Sequence, residues 1–564
     1  MDPDIKTANM DFFYKKNDNT LLFKSVQDVN IGMNLKDPQN YIPIYESFFS
    51  LTSKNYNDIN LNHTHTLLEV KDKKSYNVFS CCLSDGTEKK IADVFFKYSP
   101  LLDPSKYLIG KYDITDTELL CLPSFIHTKG HAKNQDPNNA AYVDGFFTYL
   151  TSQLLHTHKF IHAIDFYGSF VATKERFEYN MIDDVEYINE SDFFHKHNNI
   201  LFTCENDIAN HIFNFNTRRN KESLIYESHA YPLPDNIIDT LEDGLHSLFS
   251  EKTNIGDPPN TELDLIYHTE LSKKNGSTSS SECSSNSCTS TAGDEDTQSM
   301  SNSEESSEGY STVSDDVMNV TITNFPVNVI ALERCCDTLD AYVSEHIDHI
   351  TDEEWGSIIL QIVMMLFTYQ KTYGLTHNDL HTNNIMYTET DVSHIYYKAM
   401  GQEYKVPTFG KIYKIIDFGR AIYKFRGNIV CSDSYHPKGD AANLYNFEPY
   451  FNDKKPRLEP NFSFDLCRLG CSLIDFFIHD PTSKDSPAKK IIMDWCLDDK
   501  GRNVLYKTNG EERYPDFKLY KMIARTVHNS TPESQLNHKY FNLFKNKHDE
   551  TNMVINIDDI PSYI

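Results

Sequence analysis

Basic residues are scarce in this chain. Its 564 residues carry 53 Lys and Arg against 82 Asp and Glu, a formal net charge of −29. That balance argues against nucleic acid or an anionic membrane as the main partner, while leaving room for a local basic groove at a nucleotide site. Long apolar runs are missing too. The most apolar stretch, Ile358 to Phe367, is too short to span a bilayer, and the opening MDPDIKTANMDFFYKK holds no apolar segment of signal-peptide type. The expectation is an intracellular protein with no membrane span. Of the 12 cysteines, two pairs are adjacent (Cys81-Cys82 and Cys335-Cys336), and none forms a Cys-x-x-Cys pair with partners at zinc spacing. Reduced thiols are expected. What is present is enough apolar and aromatic material, 39% and 13%, to exclude disorder throughout. The length exceeds what one core supports, so at least two lobes with insertions are expected.

The missing basic residues are concentrated. None occurs between Asn275 and Glu333, and Ser272 to Val317 is rich in Ser, Asp and Glu. Such a segment cannot bury enough apolar area to offset the entropy of ordering, and it reads as a disordered insertion. Around it the pattern is regular. SYNVFSCCL and IADVFFKY, joined by SDGTEKK, predict a hairpin over Ser75 to Tyr98. Asn139 to His156 has helical spacing of apolar residues. KFIHAIDFYGSFVATK reads as strand, and TITNFPVNVIALE as a buried strand. Residues 1–75 carry no legible motif.

Two motifs carry chemistry. Gly374 to Tyr387 reads GLTHNDLHTNNIMY, after the apolar helix SIILQIVMMLFTY. An Asp followed five residues later by an Asn in a tight loop suits phosphoryl transfer. Asp379 would accept a hydrogen bond from the attacking hydroxyl, and Asn384 would give its carbonyl oxygen to a Mg²⁺ ion between phosphates. Lys411 to Ala421 reads KIYKIIDFGRA. There a strand delivers Asp417, followed by Phe418 and Gly419, as a second carboxylate suited to Mg²⁺.

A third segment, FDLCRLGCS in a helix running to Phe477, completes a set that resembles the eukaryotic-type protein kinase superfamily. The resemblance covers residues 90–175 loosely and 322–545 well. It implies an α+β, two-lobed protein-kinase-like fold with a small β-rich lobe and a mostly helical lobe. The expected divisions are an extension of unknown role (1–75), the smaller lobe (76–332) with an insertion at about 175–320, the helical lobe (333–545) and a tail (546–564). By resemblance Asp465 anchors the catalytic loop, and Lys97 in VFFKY pairs with the α- and β-phosphates of ATP. A helix acid then pairs with Lys97, Asp144 being preferred over Glu118. Glu333 and Cys335 fall in the hinge whose backbone holds adenine. TPESQLNHKYF resembles the family's last helix.

The chain also departs from the family. No Gly-x-Gly-x-x-Gly loop precedes the Lys97 strand, where only Gly86 is available. Asn378 replaces the Arg before the catalytic Asp, so activation-loop phosphorylation is not the expected switch. His381 stands where protein kinases commonly place a Lys; a His or Gln there is more typical of small-molecule kinases, such as aminoglycoside and choline kinases, and of some divergent protein kinases, and His381 could contact the γ-phosphate. YYKAMGQEYKVPT reads as an added hairpin around Gly401. Phe447-Glu448-Pro449 is the nearest match to Ala-Pro-Glu, with His528 near the place of the Arg that the family pairs with that Glu. This divergence resembles the kinase-like proteins of large nucleocytoplasmic DNA viruses, which implies a host-cytoplasm or virion location. The expected activity is ATP- and Mg²⁺-dependent phosphorylation of protein Ser or Thr hydroxyls, with the Ser-rich insertion a candidate autophosphorylation target. The alternatives are a small-molecule phosphotransferase and a pseudokinase scaffold.

Overall fold

A computed structural model describes residues 10–16, 19–126, 130–204, 318–478, 486–515, 517–546 and 553–564. The Ser-rich 272–317 segment and most of the expected insertion lie outside these residues. The chain is α+β. Its largest sheet is antiparallel, with strands in the order Leu35–Gln39, Phe166–Asn180, Asn319–Glu333, Lys89–Pro100, Val78–Ser84 and Thr66–Ser75; Phe202–Cys204 also pairs with Asn319–Glu333.

The hairpin at Asp85-Gly86 forms as expected, with Gly86 at φ +94. A second hairpin precedes it. Thr66–Ser75 turns through Tyr76-Asn77 into Val78–Ser84, and Asn77 takes the left-handed φ of +58. Asn tolerates that conformation because its short polar side chain bonds locally. Residues 1–75 are therefore not merely an extension: two of their segments supply strands of this sheet, and Tyr14–Lys16 and Ile59–Leu61 pair with each other. The five residues KDKKS that end Thr66–Ser75 are all exposed, and this polarity hid the strand from the sequence pattern.

The long helix Asp352–Tyr373 starts where Thr351 accepts the Glu354 N–H and three acids occupy its first turn. It stops at Gly374, whose φ of +61 suits a residue without Cβ. Helix Ala140–His158 is capped by Asn139, which accepts the Ala141 N–H. It packs close to the central sheet strand at Gly145. A Cβ there would stand 3.0 Å from Asn328 Nδ2 and 3.3 Å from Ile330 Cδ1. Gly145→Val is expected to push the helix off the strand and cost about 1–3 kcal/mol in denaturant unfolding.

Among the described residues three apolar cores result. One lies within the sheet around Phe79, Phe96 and Val327. A second joins helix Ala140–His158 to Asp352–Tyr373 and to the hairpin His394–Ala399/Gln402–Pro407. A third surrounds helix Phe464–Ile478. The hairpin turns at Met400-Gly401, as expected. Val554–Asn556 adds to it in parallel, so part of the expected tail is a strand. TPESQLNHKYF forms a short helix, Pro532–Gln535, followed by a 3₁₀ turn at Lys539–Phe544. Among the described residues no helix is long and apolar enough to cross a membrane.

A buried histidine joins two of these segments. Between Tyr413 and Tyr397, His162 bonds the Tyr413 carbonyl through Nδ1 (2.8 Å) and the Tyr397 hydroxyl through Nε2. Burial lowers His63, His162 and His381 each from 6.5 to about 4. Below pH 6.5 the unfolded chain takes up protons that these rings refuse in the fold. The stability they confer is present above about pH 6.5 and falls as pH drops toward 4, on the order of 3 kcal/mol for each ring. Urea midpoints at pH 7 and pH 4.5 should show the loss, and His162→Gln should reduce it.

Candidate functional site

Four separated segments converge. Register places Lys97 opposite Ile330, the residue that meets Gly145 of helix Ala140–His158. This close approach brings Asp144, one residue earlier, within reach: Lys97 Nζ lies 2.8 Å from Asp144 Oδ2 and 3.0 Å from Asp417 Oδ1. Glu118, the other candidate acid, instead accepts the Gly130 N–H. All three ion-pair side chains are largely buried. Burial alone would lower the Lys97 ammonium, but Asp144 and Asp417 outweigh it and hold it above the ordinary lysine range. Asp144 is raised, by burial first and by the Asp417 charge, against the pull of Lys97.

Asp417 follows the strand Lys411–Ile415 and has φ +63. Next to it, Phe418 donates its N–H to Asp144 Oδ1 (2.8 Å), so Asp144 serves both the lysine and the turn. The Phe418 ring packs on Phe147 and His377, with centroids 4.6 and 5.3 Å away. One aromatic ring thus ties the turn to helix Ala140–His158 and to the loop that carries Asp379.

That loop is held from behind. Asp465, fully buried at the start of helix Phe464–Ile478, accepts the backbone N–H groups of His377 (2.9 Å) and Asn378 (2.8 Å). Burial raises its carboxyl, and these hydrogen bonds oppose the rise. Asn378 has φ +65, and its amide bonds Thr376 and the Arg420 carbonyl. Left-handed non-glycine residues on both motifs mark a backbone fixed by its surroundings. Asp465→Ala strips two buried donors of their acceptor and should cost about 2–4 kcal/mol in chemical denaturation, with Asp465→Asn milder.

Asn384 donates to the Asp379 carbonyl (2.9 Å) and to His381 Nε2 (3.1 Å). The Asp379 carbonyl can only accept, so it fixes the Asn384 amide with its nitrogen toward it, and His381 Nε2 accepts from the same nitrogen. The Asn384 Oδ1 is then left buried with no hydrogen-bond partner among the described residues. A buried oxygen without a donor is suited to a cation. Asn384 and Asp417 are thus a donor set that could hold Mg²⁺. His381, 8% exposed, helps to orient Asn384.

Asp379 is 1% exposed. Its Oδ1 accepts from the Tyr520 hydroxyl (3.1 Å) and lies 3.6 Å from Arg420 Nη1; Arg420 also reaches Asp440 at 2.7 Å. Neither Tyr520 nor Arg420 was singled out in the sequence. Arg420 follows the Asp-Phe-Gly directly and could have been. Tyr520 sits on helix Phe517–Thr526, 141 residues from Asp379, in no motif.

Glu333 and Cys335 lie at the end of the central strand, where the register pairs Glu333 with Val94. The Glu333 carboxylate accepts the Asp165 N–H (3.0 Å) and pairs with Lys414, whose Nζ also donates to the Ile161 and Ala163 carbonyls. This side chain is structural, and a ligand here would meet backbone. Burial pushes the Cys335 thiol up to about 12. Glu448 pairs with Arg457, and His528 with Asp499, so these two do not meet.

Neither the models of known protein families nor the curated proteins match this chain. The geometry alone therefore carries the functional reading.

Proposed function

We propose that this chain is an ATP-dependent phosphotransferase with a two-lobed, protein-kinase-like fold, which transfers the γ-phosphoryl group to Ser or Thr hydroxyls of a protein. The observation that carries the reading is the meeting of Lys97, Asp144 and Asp417, from three segments, beside a loop whose Asn384 presents a buried oxygen with no partner among the described residues. In this reading the adenine meets the backbone at Glu333 to Cys335. Lys97, held by Asp144, neutralises phosphate charge. Asp379 orients the acceptor hydroxyl, and Asp465 fixes the loop that carries it. Mg²⁺ held by Asn384 and Asp417 would supply charge neutralisation at the phosphoryl oxygens. Positioning and electrostatics then account for most of the rate.

A binding-only scaffold is the second reading, favoured by one observation: Tyr520 and Arg420 cover Asp379. Transfer from γ-labelled ATP with Mg²⁺, to the protein itself, to generic protein acceptors and to a small-molecule panel, separates the readings. Labelled protein is the expected result. Labelling of small molecules alone would replace the acceptor class, and ATP binding with no transfer to any acceptor would make the chain a scaffold.

A further inference from the structure

Away from this site, a second cluster is built from three segments. His65 precedes strand Thr66–Ser75, His156 lies in the last turn of helix Ala140–His158, and Asp165 precedes strand Phe166–Asn180. Asp165 sits between the rings. Its Oδ2 is 2.8 Å from His65 Nδ1 and its Oδ1 is 2.7 Å from His156 Nε2. One donor atom from each residue falls within 4.8 Å of the others. The ring centroids are 5.2 Å apart and nearly perpendicular. Asp165 is buried, whereas the two histidine side chains are 22% and 21% exposed, so the cluster opens to solvent on one side.

The carboxylate is held from outside. Ser152 Oγ donates to Asp165 Oδ1 (3.1 Å) while accepting the Phe166 N–H, and the Asp165 N–H bonds Glu333. Outer partners of this kind orient ligands in metal sites. Two imidazoles and one carboxylate, with a solvent-facing position, suit zinc or a neighbouring borderline metal and are poorly suited to Mg²⁺.

We infer that His65, His156 and Asp165 form a transition-metal site of the zinc class, with solvent completing the coordination. The bound ion joins the end of the helix that carries Asp144 to two strands of the sheet. Binding replaces the two His–Asp hydrogen bonds, and each ring that loses a proton to bind the ion releases it to solvent. Lys90 opposes the ion. Its Nζ is 3.4 Å from His65 Nε2, the nitrogen that must carry the ring proton once Nδ1 binds metal.

The test is titration of the metal-stripped full chain with Co²⁺ and then Zn²⁺, in excess Mg²⁺. One equivalent of Co²⁺ with visible ligand-field bands, displaced by Zn²⁺, is expected. His156→Gln should weaken binding by more than the roughly 10–100-fold that loss of an outer partner costs. Lys90→Ala should tighten binding, and Asp417→Asn should leave it unchanged. Far-ultraviolet dichroism of the metal-free variants checks that each is folded. If the folded His65→Gln/His156→Gln double variant keeps the equivalent, or the wild type binds none, the cluster is only a hydrogen-bonded clip and the inference fails.

Discussion

Asp379→Asn is expected to lower γ-phosphoryl transfer by about 10²–10⁴-fold, the range associated with loss of a positioned base. ATP binding should survive, because Asp379 lies on the acceptor side of the proposed site and the phosphates are assigned to Lys97 and the Asn384–Asp417 pair. The substitution is nearly isosteric. The amide oxygen can still accept from Tyr520, while the attraction to Arg420 is lost. The fold should therefore remain, and a melting curve run beside the assay checks this. Full transfer by the variant would remove Asp379 from the mechanism. Loss of both ATP binding and melting cooperativity would mean that its role is to hold the loop.

Lys97→Met carries the largest expected effect on stability. The ammonium separates two carboxylates that otherwise share one buried space, at 2.8 and 3.0 Å from it. Removing one partner of a buried ionic group typically costs about 3–5 kcal/mol, because the other charge is left uncompensated. The pH dependence follows from Asp144, whose carboxyl is already raised in the fold and loses its main opposing influence in the variant. A raised acid is stabilising where it is protonated and loses that contribution as pH rises through its folded value. The variant's deficit relative to wild type should therefore be greatest near neutral pH and shrink on acidification. Lys97→Met/Asp144→Asn should recover part of the loss at pH 7. Equal unfolding midpoints for Lys97→Met and wild type would show that the pair is not buried in solution.

The sequence made the chemistry-bearing segments legible because their spacing is local. Asp379 and Asn384 are five residues apart, and the strand before Asp417 has an apolar pattern that survives burial on both faces. Asp144 was legible as a helical acid, but what brings it to Lys97 is the approach at Gly145, a property of packing that no periodicity shows. The strand Thr66–Ser75 was missed because an edge strand with five exposed polar residues at its end looks like loop. Tyr520 was missed because a single tyrosine on a short amphipathic helix reads as core. The sequence also did not show that His381 Nε2 stands 3.1 Å from the Asn384 amide, a contact set by the turn of the loop. His65, His156 and Asp165 lie on three segments with no shared spacing, so no linear motif could announce them.

The strand Val554–Asn556 bears on the order in which the molecule can be completed. It covers one edge of the hairpin strand His394–Ala399. Just beyond it, Lys371 of the long helix donates to the Ile557, Asp558 and Ile560 carbonyls, and Tyr563 bonds Thr372 and Arg426. The hairpin and helix are synthesised well before this strap, which lies about 150 residues beyond the hairpin strand. During that interval the hairpin carries an open edge able to pair with another chain. A nascent chain arrested before residue 553 thus exposes a strand edge that the finished chain covers. Supplying the 553–564 peptide in trans to a chain truncated at 546 should restore solubility.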